Sequence, residues 1–246
     1  MRTSGHTVLI TGGASGIGLA LTQQFLNNEN QVIVVGRNEC KLSEVSQRHP
    51  NVKVFACDIS KDDEVDVLVS ELTEKHPNLN VIVNNAGIQH NYSFLDNVSE
   101  NTVGKVKNEI DINLVAPILL TTKLLPLLYK HDQAAIVNVS SGLGLIPKKS
   151  APVYCATKAG LHLFSKSLRY QLEQSPIKVF EIIPALVDTE MTKGRGRGKI
   201  SPEALAEEFW KAFRRDQEEV AIGKVKLLKW ICRLAPSYAE AMLKNS

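Results

Sequence analysis

Seven short runs dense in valine and isoleucine, at 7–11, 31–36, 52–56, 80–84, 135–139, 178–183 and 220–222, alternate along the chain with longer stretches of helical periodicity. The helical stretches lie at 17–28, 40–48, 62–76, 100–130, 154–174 and 202–215. The short runs are nearly continuous in apolar residues, the pattern of strands buried on both faces. Strand followed by helix, repeated, demands right-handed crossovers and predicts one doubly wound α/β domain. Its sheet is expected to have seven strands, mostly parallel, with helices on both faces. Helix starts are signalled by Ser60 before Asp62-Asp63-Glu64 and by Ser201 before Pro202. Neither an internal repeat nor a Pro/Gly/Ser-rich linker divides the chain. Ligands in such sheets bind beyond the carboxyl ends of the strands, so candidate residues are sought there.

Composition narrows the function classes. With 43% hydrophobic and 22% charged residues, disorder and coiled coil are poor readings of these 246 residues. The net charge of +3 conceals an asymmetry: residues 1–192 hold 17 basic and 19 acidic side chains, and residues 193–246 hold 12 and 7. A global charge suited to nucleic acid is excluded, while a local basic surface is not. Cys40, Cys57, Cys155 and Cys232 are scattered, without metal-ligand spacing, and fit reduced thiols. The N-terminal sequence lacks a secretory pattern and no window reaches 18 apolar residues, so a cytosolic location is expected.

After the first strand comes Thr11-Gly12-Gly13-Ala14-Ser15-Gly16-Ile17-Gly18, opening directly into a helix. Glycines let a backbone approach a ligand closely, and a helix N-terminus offers free N–H groups to a pyrophosphate. A strand-to-helix turn without a ligand is the plainer alternative. The segment resembles the cofactor turn of the short-chain dehydrogenase/reductase family in its single-domain form. The likeness continues through Asn84-Asn85-Ala86-Gly87, Asn113, Ser141 and Tyr154-Cys155-Ala156-Thr157-Lys158, in the family's order and spacing over residues 6–223. It implies a Rossmann-type domain over residues 1–223, with a lid-like insertion at about 189–201 and a basic extension, 224–246, packed on the same domain. Around 220–236 the chain is also similar to a bacterial subgroup of the family.

The resemblance implies a catalytic tetrad of Asn113, Ser141, Tyr154 and Lys158. Tyr154 and Lys158 are four residues apart and share a helix face. A tyrosine, with a reference pKa near 10, needs help as an acid or base at neutral pH, and a neighbouring ammonium should lower it. Ser141 would polarise a substrate carbonyl, with Ser140 as its rival. Asn113 resembles the asparagine that distorts its helix and holds a water in a relay to the lysine.

Cofactor contacts are implied at Gly12, Ala14, Ser15, Gly16, Ile17 and Gly18, and at Tyr154 and Lys158. Asp58, with Ile59, resembles the aspartate that binds adenine, although capping the next helix is another role open to it. Asn85, Ala86 and Gly87 match the adenosine side. Pro184, Val187 and Thr189 match the nicotinamide loop, where Ala185 stands in place of the usual glycine. NAD-specific members end the second strand with an acid; here Arg37 follows Gly36, which favours NADP(H) over NAD(H).

The implied activity interconverts a carbonyl and an alcohol by hydride transfer. An NADPH-binding regulator or scaffold without turnover is the rival. Leu143, Leu145, Ile146 and Leu186 suggest a lipophilic substrate, or simply cover the sheet. His90 and Asn91 could face it. The glycine–cation run 193–199 reads as a mobile lid or as a solvated loop. The tail around 224–234 reads as an amphipathic helix that docks on the domain, meets a second subunit, or lies on an anionic membrane. The family implies a homodimer or homotetramer.

Overall fold

The structure, a computed structural model, describes residues 1–95 and 99–244. Its first half runs β1 (Thr7–Thr11), α1 (Gly16–Leu26), β2 (Gln31–Gly36), α2 (Glu39–Arg48), β3 (Lys53–Ala56), α3 (Asp62–Lys75) and β4 (Leu79–Asn84). The second runs α4 (Glu100–Ile110), α5 (Ala116–Leu128), β5 (Ala134–Val139), α6 (Pro152–Gln171), β6 (Ile177–Pro184), α7 (Pro202–Arg214), β7 (Glu219–Ile222), α8 (Val225–Leu234) and α9 (Pro236–Leu243). The strands lie in the order β3-β2-β1-β4-β5-β6-β7, and every neighbouring pair is parallel. The sheet expected to be mostly parallel is wholly so. The chain winds outward from β1 to β3, then returns to β4 and winds the other way, so the switch point lies between β1 and β4.

Side-chain alternation builds two cores from one sheet. Val8, Ile10, Val32 and Val34 face α1 and α7, meeting Phe25, Phe209 and Phe213. Leu9, Ile33 and Ile82 face the other way, toward Leu68 and Leu72 of α3 and Leu120 and Leu124 of α5. With both faces covered, the strands have no reason to alternate polar with apolar residues.

The stretch expected as one helix at 100–130 is interrupted. Residues Asp111–Val115 form a π turn between α4 and α5. The whole helical run Glu100–Leu128 is long and apolar enough to cross a bilayer by length and composition, which the sequence windows did not anticipate. Leu120, Leu124, Leu127 and Leu128 of this run are buried in the core, while Ile110 and Val115 remain exposed. Ser201 caps α7 as expected, accepting from the Ala204 N–H at 3.1 Å. Ser60 does not cap α3: its hydroxyl donates to Asp58 Oδ1 at 2.8 Å, and Lys61 takes the cap position without a side-chain bond. Asp58 is the stronger local acceptor, so the expected cap becomes a turn of its own.

The tail forms two helices. Leu228 and Ala239 pack with Ile146 of the loop after β5, and the Lys149 N–H donates to the Lys244 carbonyl at 3.0 Å. Lys226 pairs with Glu208 and Lys229 with Glu219, so two tail cations are tied to α7 and β7. Leu227, Trp230 and Leu234 of α8 stay exposed.

One backbone contact fixes α1 against the sheet. A Cβ on Gly18 would fall inside contact distance of the Gly12 carbonyl, whose carbon lies at 2.8 Å. Gly18→Ala should therefore cost about 3 kcal/mol by urea denaturation. Gly104→Ala, on an exposed helix position with nothing within 4 Å, should stabilise by about 1 kcal/mol. Equal effects of the two would refute the contact.

Candidate active site

The glycine turn opens the crevice at the switch point. Gly12 and Gly16 have φ of 66° and 50°, left-handed values that side chains disfavour. A Cβ on Gly12 would sit 3.1 Å from both Ala86 Cα and Asn85 Nδ2. Thr11 ties this turn to β4: its Oγ1 accepts from the Asn85 and Ala86 N–H groups at 3.0 and 3.1 Å, while Asn85 Nδ2 donates to the Thr11 carbonyl at 2.9 Å. At the start of α1, Ser15 makes no side-chain cap and the first turn holds no acid. Its free N–H groups and the helix dipole therefore suit an anion such as a pyrophosphate.

Arg37, half exposed at the end of β2, places Nη1 3.5 Å from Asp58 Oδ2. Burial works to raise the Asp58 carboxyl, but two hydrogen bonds from Ser60 and the Arg37 guanidinium outweigh it, holding the group below its usual range.

On the other side of the crevice, α6 begins at Pro152, earlier than expected, so Tyr154 stands in its first turn. Lys158 is 4% exposed. Its Nζ donates to the Val139 carbonyl at 2.8 Å and lies 5.8 Å from the Tyr154 ring centroid. Burial pushes the ammonium down to about 8, opposed by the Glu181 carboxylate. Tyr154 does not behave as expected. Burial pushes its phenol up to about 12, against a downward pull from the Ser141 hydroxyl and Arg195. The lysine turns its charge to Val139, and removal of the phenol from water dominates.

Ser141 Oγ accepts from the Leu143 N–H at 3.1 Å, which fixes the hydroxyl at the crevice wall. The rival Ser140 is committed elsewhere, its hydroxyl donating to Glu181 Oε1 at 2.5 Å. Asn113 is fully buried in the π turn; its Oδ1 accepts from the Ile88 N–H and its Nδ2 donates to the Ile88 carbonyl, both at 2.8 Å. A Cβ on Gly87 would lie 3.2 Å from Asn113 Oδ1 and 3.6 Å from Lys158 Nζ. Only a glycine's width separates the two polar groups. After β6, Val187 pairs with Ile200, and Thr189 Cγ2 lies 3.0 Å from the Cβ position of Gly16. Ala185 requires no glycine: the non-glycine residues with positive φ among those described are Glu29 and Asp216.

These groups line one cavity of about 980 Å³, which takes in Gly12, Ser15, Gly16, Ile17, Arg37, Asp58, Ile59, Asn85, Ala86, Gly87, Ser141, Tyr154, Lys158, Pro184, Val187 and Thr189. Three sequence candidates stand off its wall. Ala14 packs on the core, Gly18 lies against Gly12, and Asn113 sits one layer behind Gly87. Asn91 reaches the cavity, whereas His90 packs edge-on to Tyr92. A smaller hollow of about 440 Å³ at the amino edge of the sheet, beside Arg2, Lys130 and Gln133, holds none of these groups.

Sequence reading missed the polar cluster behind Lys158. Glu181 of β6 is 1% exposed and sits within 3.0 Å of His162 Nδ1 on α6, besides Ser140. A charge inside the apolar run Val179-Phe180-Glu181-Ile182-Ile183 was the available signal. Glu109 was missed too: buried on α4, it accepts from the Tyr92 hydroxyl at 2.5 Å.

A family model described as short chain dehydrogenase matches residues 6–199. The chain is 39% identical over 236 residues to an uncharacterized oxidoreductase, DltE, of Bacillus subtilis, covering 93% of this chain and 92% of that protein. A short chain dehydrogenase from Burkholderia cenocepacia in complex with NADP superposes with a TM-score of 0.87 at 22% identity over the whole of both chains. One from Burkholderia phymatum in complex with NAD gives 0.86 at 18% identity, covering 100% of this chain and 98% of the other. At these identities the two structures establish the fold.

Glu181→Gln removes the carboxylate that favours the charged form of Lys158. The lysine should then titrate at lower pH, which isotope-edited NMR of the Lys158 side chain would follow. An unchanged midpoint would show that the two charges do not communicate.

Proposed function

The chain belongs to the short-chain dehydrogenase/reductase family, an oxidoreductase family, and on that premise we propose that it interconverts a carbonyl and an alcohol using NADP(H), with Tyr154 as general acid and base. One observation carries this reading: Ser141, Tyr154 and Lys158 stand on the wall of the same cavity as the left-handed glycine turn. That turn fits a dinucleotide, since a Cβ at Gly12 would fill the cradle against Asn85 and Ala86.

In this reading Gly12, Ser15, Gly16 and Ile17 hold the pyrophosphate, Asp58 and Ile59 the adenine, and Asn85, Ala86 and Gly87 the adenosine side. Ala14 and Gly18 shape the turn from behind. Pro184, Val187 and Thr189 hold the carboxamide end, and Tyr154 and Lys158 the nicotinamide ribose. When bound, the nicotinamide supplies or accepts the hydride. Ser141 orients the substrate oxygen, and Tyr154 donates a proton to it during reduction. A phenol near 12 is protonated at neutral pH, which suits the donor role. The Lys158 ammonium stabilises the phenolate left behind, and Asn113, across Gly87 from Lys158, is the residue through which a proton relay would reach the lysine. Residues 1–223 are the catalytic domain, 189–201 its lid, and 224–246 a basic extension whose described part, through residue 244, closes the substrate side.

Arg37 supports the preference for NADP(H). Its guanidinium can turn from Asp58 to a 2′-phosphate, and no acid occupies the end of β2 to repel one. A homodimer or homotetramer fits the apolar side chains left exposed on α4 and α6, Val103, Leu163 and Tyr170. A cytosolic location belongs to the same reading.

Tyr154→Phe should lower carbonyl reduction by about 100- to 10,000-fold with NADPH affinity retained. In the wild type, reduction should fall above about pH 8, because Lys158 has its pKa depressed and loses its cation there. A rate level to pH 10 would remove the lysine from the mechanism. Tight NADPH binding without turnover of any carbonyl would make the protein a regulator instead. Arg37→Asp should reduce kcat/KM for NADPH at least tenfold more than for NADH, and an equal loss would sink the 2′-phosphate role.

A further inference from the structure

Lys148, Arg195, Arg197 and Lys224 all line the cavity on the side of the lid and tail, and two of them, Lys148 and Arg195, lie within each other's field. Arg195 lies in the lid between Gly194 and Gly196, whose φ values of 75° and 57° bend the backbone left-handed on either side of it. Its backbone N–H donates to the Thr192 carbonyl at 3.0 Å, and Gly196 lies so close to Leu186 that a Cβ there would collide with it. The lid is thereby held down on the cavity and the guanidinium is carried inward. Arg195 Nη1 is buried and has no hydrogen-bond partner.

Lys148, from the loop after β5, lines the same cavity. Burial depresses its ammonium and Arg195 depresses it further, so the two cations lie within each other's field. The field of Arg195 also reaches the Tyr154 phenol. Neither cation forms an ion pair among the described residues. Glu190 lines the cavity without pairing to either, and Lys199 of the same lid is engaged by Asp188 at 3.0 Å. A buried unpaired guanidinium nitrogen beside a partly desolvated ammonium is unfavourable unless an anion joins them. The far wall is apolar: Leu143, Leu186, Leu227, Leu228, Ile231 and Met242 line it, four of them from α8 and α9.

We propose that Arg195 and Lys148 form an oxyanion subsite, so that the substrate is an amphiphile with a carboxylate or phosphate near Tyr154 and an apolar chain or ring against the tail helices. The proposal rests on reading the cavity as an oxidoreductase site. The cofactor's own phosphates are provided for elsewhere, at the start of α1 and at Arg37, whereas Arg195 faces Lys148 and Tyr154. A guanidinium suits either oxyanion in two-point contact, and a neutral analogue leaves its donors unpaired.

The test is calorimetric titration of the full chain, using octanoate and octyl phosphate with and without saturating NADP+, and octan-1-ol without it. At least one anion should bind tenfold or more tightly than octanol, and the tighter of the two identifies the head group. Arg195→Gln should bring that anion to the octanol level, and Lys148→Gln should do so in part, with NADP+ affinity unchanged in both. Each variant removes one of two like charges, so neither should lower the apoprotein Tm. Octanol binding as tightly as both anions, no binding of any probe, or anion affinity unchanged by Arg195→Gln would overturn the subsite. An Arg195→Gln variant that loses NADP+ as well would reassign the guanidinium to the cofactor. Failure to turn over carbonyls falls on the oxidoreductase reading alone, since octanol is titrated only without NADP+, where it cannot be oxidised, and the two anions carry no reacting alcohol or ketone.

Discussion

The carboxyl edge of the sheet is organised around an ammonium group placed where water does not reach it. An uncompensated buried charge is expensive, and Lys158 meets that expense with the Val139 carbonyl at 2.8 Å and the more distant Glu181 carboxylate. Each compensation imposes a further requirement. Val139 must end β5 within reach of α6, and Glu181 must be held inside an apolar strand by Ser140 and His162. Parallel to this line runs an amide ladder, with Asn84 Nδ2 donating to Asn138 Oδ1 at 2.8 Å and Asn138 Nδ2 to Ser165 Oγ at 2.9 Å. Strands β4, β5 and β6 are thus joined to α6 by polar side chains as well as by backbone bonds.

The two halves of the crevice solve different problems. The glycine turn removes side chains so that backbone N–H groups can approach a ligand, and its precision comes from close contacts among Gly12, Gly18 and Asn85. The tyrosine half keeps large side chains and controls them through burial. That burial raises the phenol and lowers the lysine, bringing their proton affinities to roughly 12 and 8. A phenol and an ammonium are thus held side by side in the cavity wall before any ligand enters.

Much of this was legible in the chain because the physics is local. Strand positions followed from continuous apolar runs, and their observed limits differ by a residue or so. The glycine turn and the Tyr154–Lys158 spacing are likewise short-range signals. What escaped depends on contacts between distant segments. Nothing in Asp111-Ile112-Asn113-Leu114-Val115 announces a widened turn, since the apolar spacing reads equally well as ordinary helix. The Tyr154 phenol was expected to fall because its neighbour four residues on is a cation, whereas enclosure by other segments raises it. Glu181 was visible as a charge in a strand, but its partners lie on β5 and α6. Arg195 was one cation among several in a glycine-rich run; only the path of the folded lid separates it from the paired Lys199.

The π turn has a consequence for how this segment can change over time. One additional residue in a helix rotates everything beyond it by roughly 100°, so α4 and α5 are out of phase with each other. That offset lets α4 turn Glu109 toward Tyr92 while α5 turns Leu120 and Leu124 toward the sheet. Deleting a residue to restore a regular turn would release Asn113 and also swing one helix off its neighbours. Site and core are therefore held in one reading frame of the helix. Side chains there can drift one at a time, but a change of length cannot be silent.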